Sequence, residues 1–302
     1  MIRAAIDLGT QTCLLLIAQV DPKTRTVIRT LCDEATVVRL GEGVDEKREL
    51  QPAAMARVLE CLKHYARRLE SLNLDLKATV CVATSQARDA RNTNLFFERI
   101  QKEVGFSFRT LSGQQEAAFT FLGSRPPGVD PGSLAILDIG GGSTELITHQ
   151  SSESLDVGSV RFTERFFKSN PVQNHEFQAA QQAIDQQLSA LQFIRRDLSP
   201  EAELIGVAGT VTTLASWHLN LRQFDAELIN TVTLSPREIQ SQVEQLKKLT
   251  LEERRQLPGV HPLRADVLLA GALILWRTLE VLGFQRVRAS TRGLRYGLVL
   301  DF

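Results

Sequence analysis

The chain has 302 residues, of which 43% are hydrophobic and 23% are charged, a balance typical of globular proteins with room for two domains. Lysine plus arginine and aspartate plus glutamate each number 35, so net charge provides no general attraction to nucleic acid or to an anionic membrane. A polyanionic ligand would need a local basic site.

The cysteines and the N-terminal stretch bear on the compartment. The thiols are scattered among apolar residues, without the paired spacing of a zinc site or the density of a disulfide scaffold; they are Cys13, Cys32, Cys61 and Cys81. The first residues run directly into a strand pattern without a signal-peptide core, and no apolar run is long enough to span a bilayer. We therefore expect a cytoplasmic protein that binds neither membrane nor nucleic acid.

The first motif lies near the N-terminus. An apolar run from Ile2 to Ile6 ends in Asp7-Leu8-Gly9-Thr10, and a second apolar run covers Cys13 to Val20. This pattern predicts a strand, a tight turn and a second strand. Alone, such a turn is most often only a hairpin connection. It gains weight because a similar arrangement recurs near mid-chain.

Two polar stretches follow predicted strands in the first half. Ala78 to Ala83 predict a buried strand, and the next residues, Thr84 to Asn92, include Arg88 and Arg91 just beyond its carboxyl end, where open α/β sheets bind ligands. Ser112 and Gln115 form a capping box at the start of a later helix. That box does not involve Glu116, for which the sequence alone offers only an interaction with the helix dipole.

The most informative stretch is Ala135 to Ile147, an apolar run followed by Asp138, three glycines, Ser143, Thr144 and Glu145. Consecutive glycines allow positive φ and let backbone N–H groups face one hollow, which suits phosphate. Two carboxylates would repel that phosphate unless a cation lay between them, and Mg²⁺ accepts oxygens from both. We therefore predict a phosphate and Mg²⁺ site, in preference to an ordinary glycine-rich hairpin.

The recurrence of the turn predicts a duplication. Residues 124–132 contain three prolines and two glycines and mark a boundary between domains at 1–124 and 125–302. Each half shows strands followed by alternating helices and strands, which predicts duplicated mixed α/β domains with a cleft between them. In the second half, Ala208-Gly209-Thr210 at a predicted helix start is another candidate anion site. No motif for a covalent nucleophile and no metal-ligand spacing of histidines is present, so chemistry on phosphate remains.

Taken in order, these motifs resemble those of the exopolyphosphatase and guanosine pentaphosphate phosphohydrolase family, in its short, two-domain form. That family belongs to the actin/hexokinase/heat-shock ATPase superfamily. The resemblance covers essentially the whole chain, and Asp138 to Glu145 is its most specific part. It implies two ribonuclease-H-like (actin-like) domains, Mg²⁺-dependent phosphohydrolase activity and an active site in the interdomain cleft.

The resemblance also implies residue roles. Glu116 matches the water-activating glutamate and Arg88 a phosphate-binding arginine, so these two are the predicted catalytic residues. The predicted Mg²⁺ ligands are Asp138, Glu145 and, through water, Asp7. The predicted phosphate-binding residues are Gly9, Thr10, Gly140, Gly141, Gly142, Ser143, Thr144, Gly209 and Thr210, and further basic candidates for holding substrate are Arg91, Arg161, Arg264 and Arg295. Departures from the family pattern, which bear on metal affinity and substrate preference, are Gln11, Gln115 and Tyr296.

Together these features predict a phosphoanhydride hydrolase that releases orthophosphate from the end of inorganic polyphosphate. The alternative substrate is the 5′ phosphate of guanosine pentaphosphate (pppGpp). An ATP-dependent kinase or ATPase of the same superfamily and a nucleotide-sensing binding module stay open, although Glu116 argues against the module. The sequence does not fix the oligomeric state, and a homodimer is one arrangement compatible with it.

Overall fold

The computed structural model describes residues 1–196, 198–199 and 202–301. Within these residues the chain divides into two compact units. The first unit is Met1–Gly123 together with the residues from Gly293 onward, and the second is Ser124–Arg292. No helix among the described residues combines the length and the apolar character needed to cross a membrane.

The first unit contains one mixed sheet with helices packed against it. Its strands lie in the order β3-β2-β1-β4-β5, with β1 antiparallel to β2 and parallel to β4. The elements are β1 (Ile2–Leu8), β2 (Thr12–Asp21), β3 (Thr26–Val37), α1 (Val44–Lys47), α2 (Pro52–Ser71), β4 (Val80–Ala83), α3 (Ser85–Asp89), α4 (Thr93–Val104), β5 (Phe108–Thr110) and α5 (Gly113–Ser124).

The second unit contains a sheet in the order β10-β11-β9-β6-β7-β8. Its elements are β6 (Leu134–Ile139), β7 (Thr144–Ile147), β8 (Ser152–Leu155), α6 (Ser159–Phe166), α7 (Asn174–Ser189), α8 (Gln192–Arg196), β9 (Glu203–Val207), α9 (Ala208–His218), α10 (Ala226–Ile229), β10 (Thr233–Leu234), α11 (Pro236–Lys248), α12 (Leu251–Arg255), α13 (Leu268–Leu282) and β11 (Val287–Ala289).

The two sheets repeat one plan, which confirms the predicted duplicated α/β fold class. In each, a central strand pairs antiparallel with the strand after it and parallel with a later strand. The turns also match, because Gly9 N donates to Thr12 O at 2.9 Å and Gly140 N donates to Ser143 O at 3.0 Å. The strand pairing next to the turns matches as well, because Asp7 faces Leu14 in the first unit and Asp138 faces Glu145 in the second.

The last helix, α14 (Leu294–Leu300), lies in the first unit, whereas the sequence-based division assigned 293–302 to the second domain. Its side chains pack with one face of the first sheet, including Ala5, Leu16 and Val82. The helices α2 and α4 contribute to a different apolar cluster of this unit. Covering this second face of the sheet therefore requires the C-terminal helix, a contact that no local sequence pattern indicates.

The helices α5 and α14 touch through their backbones. A Cβ atom on Gly297 would lie 1.9 Å from the carbonyl oxygen of Phe119, and one on Gly123 would lie 2.2 Å from that of Gly293. Real Cβ atoms do not approach backbone atoms so closely, so glycine is required at both positions. The contact fixes α5, whose first turn contains Glu116, against the first sheet.

We expect Gly297→Ala to lower the free energy of unfolding by about 2 kcal/mol, since the added methyl group meets backbone that cannot rotate away. Urea denaturation followed by circular dichroism measures this change. Gly113→Ala on α5 is the matched control, because nothing lies within 4 Å of a Cβ there. Equal stability of the two variants would contradict the close contact.

Candidate functional site

The hairpin of β6 and β7 brings the two predicted metal ligands together. Asp138 and Glu145 are directly paired across the strands, so their side chains lie on the same face of the sheet. Glu145 is buried, and its Oε1 accepts a hydrogen bond from Ser154 Oγ of the next strand at 2.7 Å. Asp138 is half-buried. A pair of oriented carboxylates therefore stands beside the glycine turn.

The three glycines of this turn do not adopt the positive φ that the sequence suggested. The tight packing lies instead at Gly158, just before α6, where a Cβ atom would lie 2.3 Å from the carbonyl oxygen of Gly141. The start of α6 therefore lies directly on the turn.

Hydrogen bonds from the start of α6 occupy one side of the turn. Ser159 N donates to Gly140 O at 3.0 Å, Val160 N to Gly141 O at 2.9 Å, and Arg161 Nε to Gly142 O at 2.6 Å. Since C=O and N–H point in opposite directions across a trans peptide, the next N–H groups face away from α6. These belong to residues 141–143, which are buried, and the described part of the chain offers them no hydrogen-bond partner. Buried, unpartnered N–H groups suit an anion.

Two predicted ligand residues at this turn have structural roles. Arg161, a basic candidate for holding substrate, is 5% exposed and supports the turn through the bond to Gly142. Thr144 was predicted to bind phosphate, but its hydroxyl donates to Val157 O at 2.5 Å and is buried. Its proton is therefore already used within the protein.

The second anion candidate lies at the same edge of this sheet. Asp138 pairs in parallel register with Val207, the last residue of β9, and α9 begins at the next residue. The guanidinium of Arg264 lies against Gly209, where an added Cβ would be 1.7 Å from Nη1. Adjacent carboxyl ends of parallel strands share an edge, so the predicted residues Gly209 and Thr210 lie on the side of the sheet that carries the glycine turn.

The first turn, in the other unit, has its carbonyl groups similarly occupied. Thr10 O accepts from Gly41 N at 2.9 Å, and Gln11 O accepts from both Val38 N and Arg39 N at 3.0 Å. The loop after β3 thus supports this turn as α6 supports the other. Gly9, predicted to bind phosphate, closes the turn through its bond to Thr12.

Asp7 is a buried carboxylate at the end of β1. It is 8% exposed, and its Oδ1 has no hydrogen-bond partner among the described residues. The pKa of Asp7 is raised from 3.8 to about 7, chiefly by burial and also by the nearby Glu116 carboxylate, while Arg295 opposes the shift. A buried carboxylate oxygen without a partner is costly unless a ligand satisfies it.

The two predicted catalytic residues are in direct contact. Arg88 Nη1 donates to Glu116 Oε2 at 2.6 Å and to Leu111 O at 3.0 Å. The predicted capping box at the start of α5 is present, with Ser112 N donating to Gln115 Oε1 and Gln115 N to Ser112 Oγ. Glu116 is buried rather than solvated at the helix start. Burial raises its pKa, while the Arg88 charge and hydrogen bond lower it, and the shift is upward.

Two contacts of the first unit were missed by the sequence analysis. Gln86, 2% exposed on α3, accepts from Thr10 Oγ1 and donates to Leu8 O. Arg295, expected near substrate, donates from Nε and Nη2 to both carboxylate oxygens of Asp33, and Tyr296 donates to the same group. These partners are distant in sequence, so no local signal could have found them.

Arg91, also a basic candidate, is exposed.

The residues present fit a magnesium ion shared with a phosphate ligand. No group of three or more His, Cys, Asp and Glu side chains that could hold a metal occurs within residues 1–196, 198–199 and 202–301. Mg²⁺ is commonly held by one or two carboxylates together with water and substrate phosphates. The pairing of Asp138 with Glu145 supplies such a set.

We expect Asp7→Asn to stabilise the metal-free protein at high pH. Because the folded pKa is raised, protonated Asp7 contributes stability below about pH 4, and this is lost as pH rises through about 7. The free energy of unfolding of the variant should exceed that of the native chain by little at pH 4 and by on the order of 4 kcal/mol above pH 7. Urea denaturation in chelator across this pH range measures the difference. A difference that does not change with pH would contradict the burial of Asp7 as a carboxyl group.

Residues 16–302 match the sequence model of the Ppx/GppA phosphatase family. The chain is 32% identical to Exopolyphosphatase 2 of Mycobacterium tuberculosis, over 99% of this chain and 97% of that protein. It is also 32% identical to the Bifunctional 3-dehydroquinate synthase/phosphatase of Fusobacterium nucleatum, over 99% of this chain but only 46% of that protein.

Among solved structures, the crystal structure of an exopolyphosphatase from Cytophaga hutchinsonii is similar, with a TM-score of 0.86 and 27% identity over 98% of this chain and 96% of that chain. This similarity confirms the predicted fold. The family match and the curated relatives at 32% identity confirm the resemblance seen in the sequence and the enzyme class, a phosphoanhydride hydrolase. The chain belongs to the Ppx/GppA phosphatase family.

Proposed function

We propose that the chain hydrolyses the terminal phosphoanhydride bond of inorganic polyphosphate with Mg²⁺ and releases orthophosphate. The observation that carries this proposal is the contact of the buried Glu116 with Arg88, joined at 2.6 Å. A carboxylate can accept the proton of an attacking water, and an arginine beside it can bind a phosphoryl oxygen. Relatives whose names specify exopolyphosphatase support polyphosphate as the first substrate.

Glu116 is suited to act as the general base. Arg88 occupies Oε2, while Oε1 has no protein partner among the described residues and is left for water. Burial raises the pKa of Glu116, so that its carboxylate accepts a proton more readily than an exposed glutamate does. Because Arg88 also donates to the backbone oxygen of Leu111, the orientation of the Arg88–Glu116 pair is fixed.

The glycine turn of the second unit would hold the phosphoryl oxygens. The N–H groups of residues 141–143 are already oriented by the bonds from α6 to the opposite carbonyls. Donors fixed before the substrate arrives need no reorganisation as charge develops on the transferred group. The start of α9, with Gly209 and Thr210, would add donors at the same sheet edge.

When bound, Mg²⁺ would neutralise charge on the phosphates that flank the broken bond. Asp138 and Glu145 would hold it, with Asp7 acting through water. The compartment would be the cytoplasm, since the four cysteines of the chain are free, buried thiols.

Two other substrates are alternatives. The family description includes GppA as well as Ppx, which keeps the 5′ phosphate of guanosine pentaphosphate as the second candidate. A kinase would require an acceptor hydroxyl in place of the water at Glu116, whereas an ATPase would use that water with ATP as its substrate. Release of orthophosphate from polyphosphate, guanosine pentaphosphate and ATP, each with Mg²⁺, compares the three. We expect polyphosphate to be hydrolysed fastest; faster release from either nucleotide would overturn the preference.

We expect Glu116→Gln to lower kcat by roughly a hundredfold or more, because the amide keeps the shape of the side chain but cannot accept a proton. The KM should change little. Steady-state release of orthophosphate measures both. Glu103→Gln is the control, since Glu103 forms only an exposed ion pair with Arg99; near-native turnover of Glu116→Gln would refute the assignment.

We expect Asp138→Asn to raise the Mg²⁺ concentration required for half-maximal activity, because a neutral amide is a poorer ligand for a hard cation. Titration of activity with Mg²⁺ at saturating substrate measures this shift. Glu153→Gln, an exposed substitution on β8 of the same sheet, should leave the titration unchanged. Identical titrations for both variants would show that Asp138 does not act through the ion.

A further inference from the structure

Gln86 is a buried amide that joins the first turn to the helix carrying Arg88. Gln86 lies on α3, two residues before Arg88, and is 2% exposed. Its side chain bonds the last residue of β1 and a residue of the turn that follows. Nε2 donates to Leu8 O at 2.8 Å, and Oε1 contacts Thr10 Oγ1 at 3.0 Å. Neither bond contributes to a strand pairing or to a helix.

The direction of these bonds follows from their chemistry. A backbone carbonyl only accepts, so the NH₂ group of Gln86 must face Leu8 O, and the amide oxygen must face Thr10. An amide oxygen also only accepts, so the Thr10 hydroxyl donates its single proton to Gln86. This hydroxyl can then only accept a hydrogen bond from a ligand.

The Thr10 side chain cannot easily turn away from Gln86. Gly41 lies against its methyl group, where an added Cβ would be 2.2 Å from Cγ2, and Gly41 N donates to Thr10 O. Turning the proton elsewhere would leave the buried Gln86 oxygen without a donor, which costs free energy.

We propose that Gln86 is a positioning residue that makes Thr10 an acceptor-only group, so that Thr10 binds water rather than a phosphate oxygen. Deprotonated phosphate oxygens are acceptors and gain nothing from a second acceptor, whereas water donates. Asp7 Oδ1, at the end of the same strand, is likewise an unpartnered acceptor among the described residues. This assignment rests on the proposed function, and it changes the predicted role of Thr10.

The matching turn of the second unit has no side chain at this position that could take this role. By its place after the glycine that closes the turn, Thr10 corresponds to Gly141, whose N–H is buried and unpartnered in the described chain. At this position the second turn therefore has only backbone groups, whereas the first adds a side-chain acceptor for water. Gln86 contributes to this difference by accepting the only proton of the Thr10 hydroxyl.

Tripolyphosphate binding in chelator, measured by calorimetric titration, tests this inference without turnover. In the native background, Thr10→Val should change the Kd by less than about twofold. Gln86→Leu frees the hydroxyl to donate, so in that background Thr10→Val should weaken binding roughly fivefold, the effect of one lost hydrogen bond. Gln242→Leu removes another buried glutamine, which bonds Leu214 O on α9, and is the matched control; its Kd should remain native.

A fivefold loss from Thr10→Val in the native background would overturn the inference, since Thr10 would then donate to phosphate. If tripolyphosphate binds only with Mg²⁺, the same comparison is made with Mg²⁺ in the Glu116→Gln background. Tripolyphosphate that binds in neither condition overturns the proposed substrate class, and the role of Gln86 is then decided by the pH dependence of Gln86→Glu.

Should Gln86→Leu not fold, Gln86→Glu provides the test. Its protonated carboxyl can donate to Leu8 O and accept from Thr10, so its Tm should approach the native value at the same pH as the pH falls. A Tm difference that is constant with pH would refute the bond directions.

Discussion

The orientation of the donor groups in the glycine turn of the second unit depends on how the carbonyl groups of that turn are satisfied. The N-terminus of α6 and the Arg161 side chain donate to the carbonyls of residues 140–142. Since each peptide is planar and trans, this turns the opposite N–H groups away from α6. Gly158 is required because a side chain there would collide with Gly141 and separate α6 from the turn. The orientation of these N–H groups is therefore set by the packing of α6 behind the turn.

Burial of carboxylates in the first unit connects stability with function. Asp7 and Glu116 are both buried, and each has a raised pKa for which desolvation is the largest cause. Groups held in this way weaken the fold near neutral pH but are ready to bind a cation or accept a proton. Arg88 and Arg295 limit the cost differently: Arg88 pairs with Glu116, while Arg295 acts on Asp7 electrostatically and pairs with Asp33.

Duplication provided two similar turns, and substitution gave them different chemistry. Glu145 occupies the strand position that corresponds to Leu14, so only the second turn has paired carboxylates. Thr10 occupies the position that corresponds to Gly141 and has its hydroxyl committed to Gln86. The same backbone plan thus carries different side chains in the two units, namely paired carboxylates beside one turn and a hydroxyl bound to Gln86 in the other.

The sequence by itself determined the duplicated α/β plan, the two turns and the capping box at Ser112, because these depend on residues close together in the chain. Tertiary structure decided which polar groups are occupied. Arg295 binds Asp33, and Gln86 binds Thr10, across separations that leave no local pattern. The place of α14 in the first unit was likewise decided by an apolar sheet face that only the folded chain presents. Hydrogen-bond partners and buried faces are properties of contacts between distant segments, which a linear pattern does not contain.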